Sequence, residues 1–303
     1  MATETPAKPD SPAETLADSP RPAQNGPRPE GNVLNVFSHG FLWLWALMVI
    51  VPVGWIVLTS FKTTREIASD PLGLPSALQW ANYANAWSDG NIGRYFLNTI
   101  LVMVFSVTGT MLLGAMAAYV LARYEFFGNR VMYFGFAAGM MFPVFLALFP
   151  LFKTLGNVGL LNTFPGLIIV YIAYSLPFTV FFLTAFFRTL PSGVAEAAIV
   201  DGAGHYRLFF QVMLPMAKPG LVAITIFNVI GQWNQFLLPL VLMSDPDDAV
   251  ISKGLSDLAL RQGYEGDAGA LFAGTVMAMI PIFIAYLIFQ RQIQAGLTAG
   301  AIK

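Results

Sequence analysis

Six stretches without Asp, Glu, Lys or Arg divide the chain: Gly31–Phe61, Tyr95–Ala122, Val131–Phe152, Thr154–Phe187, Pro219–Ser244 and Ala268–Gln290. An α-helix rises about 1.5 Å per residue, so about 20 apolar residues cross the hydrocarbon core of a bilayer. Every stretch reaches that length, and none holds two spans with a turn between them. Backbone polar groups in lipid must be paired within the protein, and these runs lack the polar–apolar alternation of a barrel strand. The sequence therefore predicts an all-α integral membrane protein. Six transmembrane helices are expected near 37–60, 96–122, 131–152, 164–187, 219–243 and 269–290. The start of the fourth stretch, with Gly156, Asn157, Gly159 and Asn162, reads as a loop.

Composition narrows what such a chain does. Charged residues are 11% of it, against about 25% in soluble domains, and the mean hydropathy is +0.64. The net charge is −1, which gives nucleic acid nothing to hold. Cysteine is absent, and His39 and His205 lie far apart, so no metal site or cofactor is expected. No formal charge falls well inside a predicted span. Ion-coupled carriers and membrane enzymes usually keep an ionisable group at that depth, so the chain has little with which to drive transport or catalysis itself. No G-x-x-x-x-G-K-[ST] loop is present to hold ATP phosphates. Energy for uphill transport would come from another chain. A self-contained secondary carrier for a polar solute is the alternative reading.

With the N-terminus in the cytoplasm, the inner connections carry ten Lys and Arg and the outer ones six, the sign the positive-inside rule asks for. Both termini are then cytoplasmic. Residues 1–35 are expected to form a disordered cytoplasmic tail, because seven prolines between Pro6 and Pro29 are interleaved with Ala, Ser and acids. No short basic start leads directly into an apolar run, so no signal peptide is expected, and the first helix would act as an uncleaved anchor. The transmembrane domain is then 36–303.

The connection 188–218 carries the densest pattern. Ser192 is placed to cap a short helix after Pro191, and Ala195 to Val200 continue it with good helix formers. Gly202 is a natural stop. A second short helix is expected from His205 to about Met213, closed by Pro215, with Leu208, Phe209, Val212 and Met213 on one apolar face. On residues alone this is a helix–turn–helix at the membrane surface, and an ordinary amphipathic loop would read the same way.

Glu196-Ala197-Ala198, then Asp201-Gly202-Ala203, then Leu214-Pro215 resemble the EAA loop of ABC importer permeases. Leu155–Thr163, Phe186–Pro191, Trp233–Leu240 and Gly296–Lys303 are similar to segments of the smaller permease of maltose-type sugar importers. The resemblance covers roughly 36–303. Gln235 departs from it, standing where many relatives have Glu. The resemblance implies a permease subunit of an ATP-driven importer for a carbohydrate, an oligosaccharide or related sugar, in a bacterial cell membrane. It implies that the loop docks into a cleft on a dimer of ABC ATPase subunits, with Glu196 meeting a basic residue there. It further implies a second homologous permease and an extracytoplasmic solute-binding protein. The segment 291–303 would reach the ATPase interface or else be a frayed end.

Two polar stripes run along predicted spans: Tyr171, Ser175 and Thr179 on the fourth, and Asn228, Gln232 and Gln235 on the fifth. Such a stripe faces either another helix or a pathway, and both readings stand. Trp233 beside them suits a sugar path or an interfacial anchor equally. Prolines at 143, 150, 177, 239 and 281 either kink their helices or are simply tolerated.

Overall fold

The computed structural model describes residues 31–299, with side chains described except at 31–37, 262–265 and 293–299. Most of the expected tail, residues 1–30, lies outside that range, and Gly31 to Asn35 already belong to a helix. The chain divides into two units at Pro52. The described part of the first is apolar helix from Gly31. The second, from Val53 onward, holds everything discussed below.

The elements in order are α1 (Gly31–Thr59), α2 (Thr64–Ser69), α3 (Ala81–Trp87), α4 (Ile92–Arg123), α5 (Asn129–Met141), α6 (Val144–Asn157) and α7 (Phe164–Thr189). There follow α8 (Ser192–Val200), α9 (His205–Met216), α10 (Lys218–Trp233), α11 (Leu237–Leu242), α12 (Ile251–Glu265) and α13 (Ala268–Ala299). No strand occurs among the described residues. Four helices are long and apolar enough to cross a membrane alone, in α1, α4, α7 and α13, and the number rises to six if the bent pairs α5–α6 and α9–α10 each count as one span.

Two expected spans are interrupted. The third span is not one helix over 131–152 but α5 and α6, meeting at 100°. Pro143 causes the break. A proline disfavours the helical region for the residue before it, and Phe142 is accordingly extended at φ −76°, ψ 119°. The fifth span, expected over 219–243, instead ends at Trp233 and resumes only as α11. The connection 244–269 between the last two expected spans contains α12. At the other end, α13 runs through Ala299, so most of 291–303 is helical, and residues 300–303 lie outside the described range.

The α4–α7 pair forms the centre of the second unit, and small residues let the two helices approach closely. A Cβ on Gly114 would lie 2.5 Å from Thr179 Cγ2, and one on Gly109 would lie 2.6 Å from Ile172 Cδ1. Three buried clusters flank this contact. One joins Ala115 and Tyr119 of α4 to Leu183 and Phe187 of α7 and to Phe209 and Met213 of α9. Another joins Val102, Leu167 and Tyr171 to Leu238 and Leu242 of α11. The remaining one joins Ile92 and Tyr95 to Trp233, Ile251 and Ala273.

The segment after α1 is stitched by side chains. Lys62 is buried, and its Nζ donates to the carbonyls of Asp70 at 2.9 Å and Pro71 at 3.2 Å. Thr63 and Glu66 form a capping box on α2. Hydrogen bonds from the Ser76 hydroxyl, and then from the Thr63 backbone and hydroxyl, hold the Glu66 carboxyl down at about 2.

Candidate coupling loop and membrane cavity

Residues 190–217 form two short helices folded onto the ends of α4 and α7. The first, α8, ends in a Schellman motif. Ala203 N–H donates to Ala198 O at 2.9 Å, and Gly202 N–H donates to Ile199 O at 3.0 Å. Gly202 occupies the left-handed position at φ +81° that this motif requires. Ser192 is not the cap that its sequence position suggested. It is the first helical residue, Pro191 holds the cap position, and no side chain bonds there.

The second helix, α9, is also longer than expected. It contains a π-helical turn over Leu208–Met213 and continues through Pro215 to Met216. Pro215 therefore does not close it. The chain turns at Ala217, where α9 and α10 meet at 76°. The expected apolar face is present: Leu208, Phe209 and Met213 are buried and Val212 packs against them. Tyr119 of α4 meets the rings of Phe209 at 5.1 Å and Phe187 at 5.7 Å.

The loop's residues sort into two faces. Ala198, Ala203 and Leu214 are half-buried, and Ala198 and Leu214 pack against the cluster beneath. Glu196, Ala197, Asp201, Gly202 and Pro215 are exposed. Val200 and Tyr206 are more than four-fifths exposed, and Ile199 is 55% exposed. An apolar surface flanked by carboxylates is thus left uncovered on a loop held rigidly from behind.

Two residues that the sequence did not single out, Arg123 and Tyr124, hold it there. Arg123 at the end of α4 donates from Nη2 to the Leu190 carbonyl at 2.6 Å. The Tyr124 hydroxyl and His205 Nδ1 are 2.9 Å apart. Arg123 was legible as a charge ending an apolar run. Its carbonyl partner 67 residues away in sequence was not.

The polar stripes meet across α4, α7 and α10. Gln232 accepts from Ser106 of α4 and donates to Ser175 of α7 at 3.1 Å. Asn228 donates to Thr179 Oγ1 at 2.9 Å. Beside these bridges lies a cavity of about 640 Å³ between the α5–α6 break, α7 and the end of α10. Tyr171, Ser175, Asn228, Gln232 and Gln235 line it. Thr179 does not; it is fully buried in its bridge to Asn228. Trp233 does not either: it is buried toward α13, where Nε1 donates to Ala278 O at 3.2 Å.

The family described as "Binding-protein-dependent transport system inner membrane component" matches residues 110–298, a range that holds both the loop and the cavity. The chain belongs to this family. It is a multi-pass inner-membrane permease of the ABC importer type, a transport subunit rather than an enzyme.

The permease is 54% identical over 266 residues to the diacetylchitobiose uptake system permease protein NgcG of Streptomyces coelicolor, covering 88% of each chain. It is 36% identical to the trehalose transport system permease protein SugB of Mycobacterium tuberculosis, over 84% of this chain and 92% of that one. Among solved structures, a chain of a bacterial ABC transporter involved in the import of the acidic polysaccharide alginate shares its fold. The TM-score is 0.74 at 23% identity, with 87% of the permease and 97% of that chain covered.

Within the permease, loop and cavity are joined by the α4–α7 pair. Tyr119 and Phe187, near the cytoplasmic ends expected for these helices, pack on α9, while Ser106 and Ser175 hold the cavity wall. A displacement of the loop therefore acts on elements that also shape the cavity.

Proposed function

We propose that this permease is one of two homologous membrane subunits of an ATP-driven importer for an N-acetylated oligosaccharide of the diacetylchitobiose kind. The observation that carries the substrate class is the 54% identity to a diacetylchitobiose permease along 88% of both chains. Cytoplasmic ABC ATPase subunits dock on the Glu196–Pro215 loop, and an extracytoplasmic binding protein delivers the sugar. Both termini lie in the cytoplasm in this arrangement. The loop supports the reading physically. Its uncovered apolar residues, Ile199, Val200 and Tyr206, suit a protein cleft, and Glu196 and Asp201 are exposed beside them for basic partners. Its stiff cap and buried underside suit a lever that passes ATPase motion to α4 and α7.

Affinity purification of the tagged chain in mild detergent, followed by mass spectrometry, tests the assignment. An ABC ATPase and a second six-span permease should accompany it. A chain that emerges alone or with copies of itself under several detergents contradicts the assignment and favours the secondary carrier.

A further inference from the structure

The cavity's polar groups fall into two kinds. Ser175, Asn228 and Gln232 are committed to a network across three helices that runs through Ser106 and Thr179 behind the wall. Tyr171 and Gln235 are not, nor are the exposed Thr154 and Tyr174. Tyr171 is 97% buried and lines the cavity, yet its hydroxyl makes no hydrogen bond among the described residues. The hydroxyl oxygen is not sealed in packing but opens to the cavity, where water or a ligand can partner it. The Gln235 side chain lines the same cavity and also has no partner among the described residues. It sits at the break between α10 and α11, where its backbone carbonyl accepts from Ser252 Oγ at 2.7 Å, so the residue is held while its amide is left uncommitted.

Most of the rest of the wall is apolar or aromatic, including Phe142, Pro177, Phe178 and Phe227. No residue lining the cavity is Asp, Glu, Lys, Arg or His. A carboxylate or ammonium entering it would lose water with no opposite charge to meet. A sugar ring offers the complement: hydroxyls for the uncommitted polar groups and apolar C–H faces for the rings. The volume lies within the roughly 300–1,000 Å³ range of small-ligand sites.

We propose that this permease itself contacts the transported solute, an uncharged sugar unit held in the cavity by the Tyr171 hydroxyl and the Gln235 amide. The bridged residues behind them are packing, not contacts. This rests on the sugar-importer reading given above.

The test uses the complete transporter in proteoliposomes with ATP and saturating binding protein, so that delivery does not limit the rate. Uptake of diacetylchitobiose, cellobiose and trehalose is measured for the wild type, Tyr171→Phe, Gln235→Met and the double variant, alongside ATP hydrolysis and melting temperature. Loss of one hydrogen bond should lower sugar carried per ATP about 3- to 10-fold in each single variant, with the melting temperature unchanged. Wild-type uptake tests the sugar reading; the ratio of variant to wild type tests the contact. Normal wild-type uptake with unaffected variants overturns the contact alone, and a wild type that carries none of these sugars overturns both. A second measurement needs no variant. Diacetylchitobiose bearing an aryl azide, photolysed on the wild-type complex, should label peptides from 164–189 or 218–242. Label confined to the other subunits overturns the proposal.

Discussion

Gly202 separates backbone geometry from bulk. Its φ is +81°, and a Cβ there would meet nothing within 4 Å. A side chain therefore adds strain but no clash, about 1–2 kcal/mol for a non-glycine residue in the left-handed region. Gly204 supplies the internal control: its φ is −70°, and a Cβ there also meets nothing within 4 Å. If the ATPase recognises the turn as folded, the strain at 202 opposes docking directly. An energy of 1–2 kcal/mol corresponds to about a 5- to 30-fold loss of affinity. Asn tolerates the left-handed region better than Ala and should fall between Gly and Ala, and a β-branched Val should be worst. The assay titrates the ATPase subunits against the solubilised permease pair and records binding-protein-stimulated hydrolysis. The expected order at 202 is Gly, Asn, Ala, Val, with Gly204→Ala matching wild type. Equal losses for Gly202→Ala and Gly204→Ala, or none for either, would refute the reasoning.

Other perturbations follow from the packing and from the loop's anchors. Gly114→Ala should destabilise by about 1–3 kcal/mol through overpacking on Thr179, read as a lower melting temperature in detergent. Gln232→Leu strips the bridge between Ser106 and Ser175 and should cost about 1–2 kcal/mol, again as thermal stability. Arg123→Ala removes the donor to Leu190 and should raise amide exchange across 190–204 while leaving α7 protected. The Glu66 carboxyl is held at about 2, below its ordinary 4.5, so the bonds it accepts are fully present above pH 4.5. They are lost as pH falls through about 2, and intrinsic-rate-corrected exchange at 63–76 should rise only in that interval. Glu66→Gln should already show the rise at pH 7.

The sequence made the long spans legible because α4, α7 and α13 are nearly uninterrupted apolar runs bounded by charges. It failed at Pro143 and at Asn234. A proline alone does not say where a helix breaks: Pro150, Pro177 and Pro281 sit inside helices that continue, while Pro143 separates two. The stop at Trp233 lies within an apolar run with no charge to mark it. Helix α12 lies outside the six charge-free stretches because it carries Lys253, Asp257 and Arg261, yet Lys253 is buried and paired with Asp257. The helix–turn–helix and its stop at Gly202 were legible, since both follow from local chemistry. Its anchorage by Arg123 and Tyr124 was not, since that depends on contacts 67 and 81 residues away. For the polar stripes the choice between packing and pathway was posed too broadly: neighbouring residues on one stripe do different things, Thr179 bridging helices and Tyr171 lining the cavity.

The central claim is that this chain moves solute only when coupled to ATP hydrolysis through the 190–217 loop. Reconstituted uptake of labelled diacetylchitobiose measures it directly, with ATP, a proton gradient or a sodium gradient supplied one at a time. The account predicts uptake with ATP alone, lost in Gly202→Val. Uptake that follows an ion gradient and ignores ATP would contradict it.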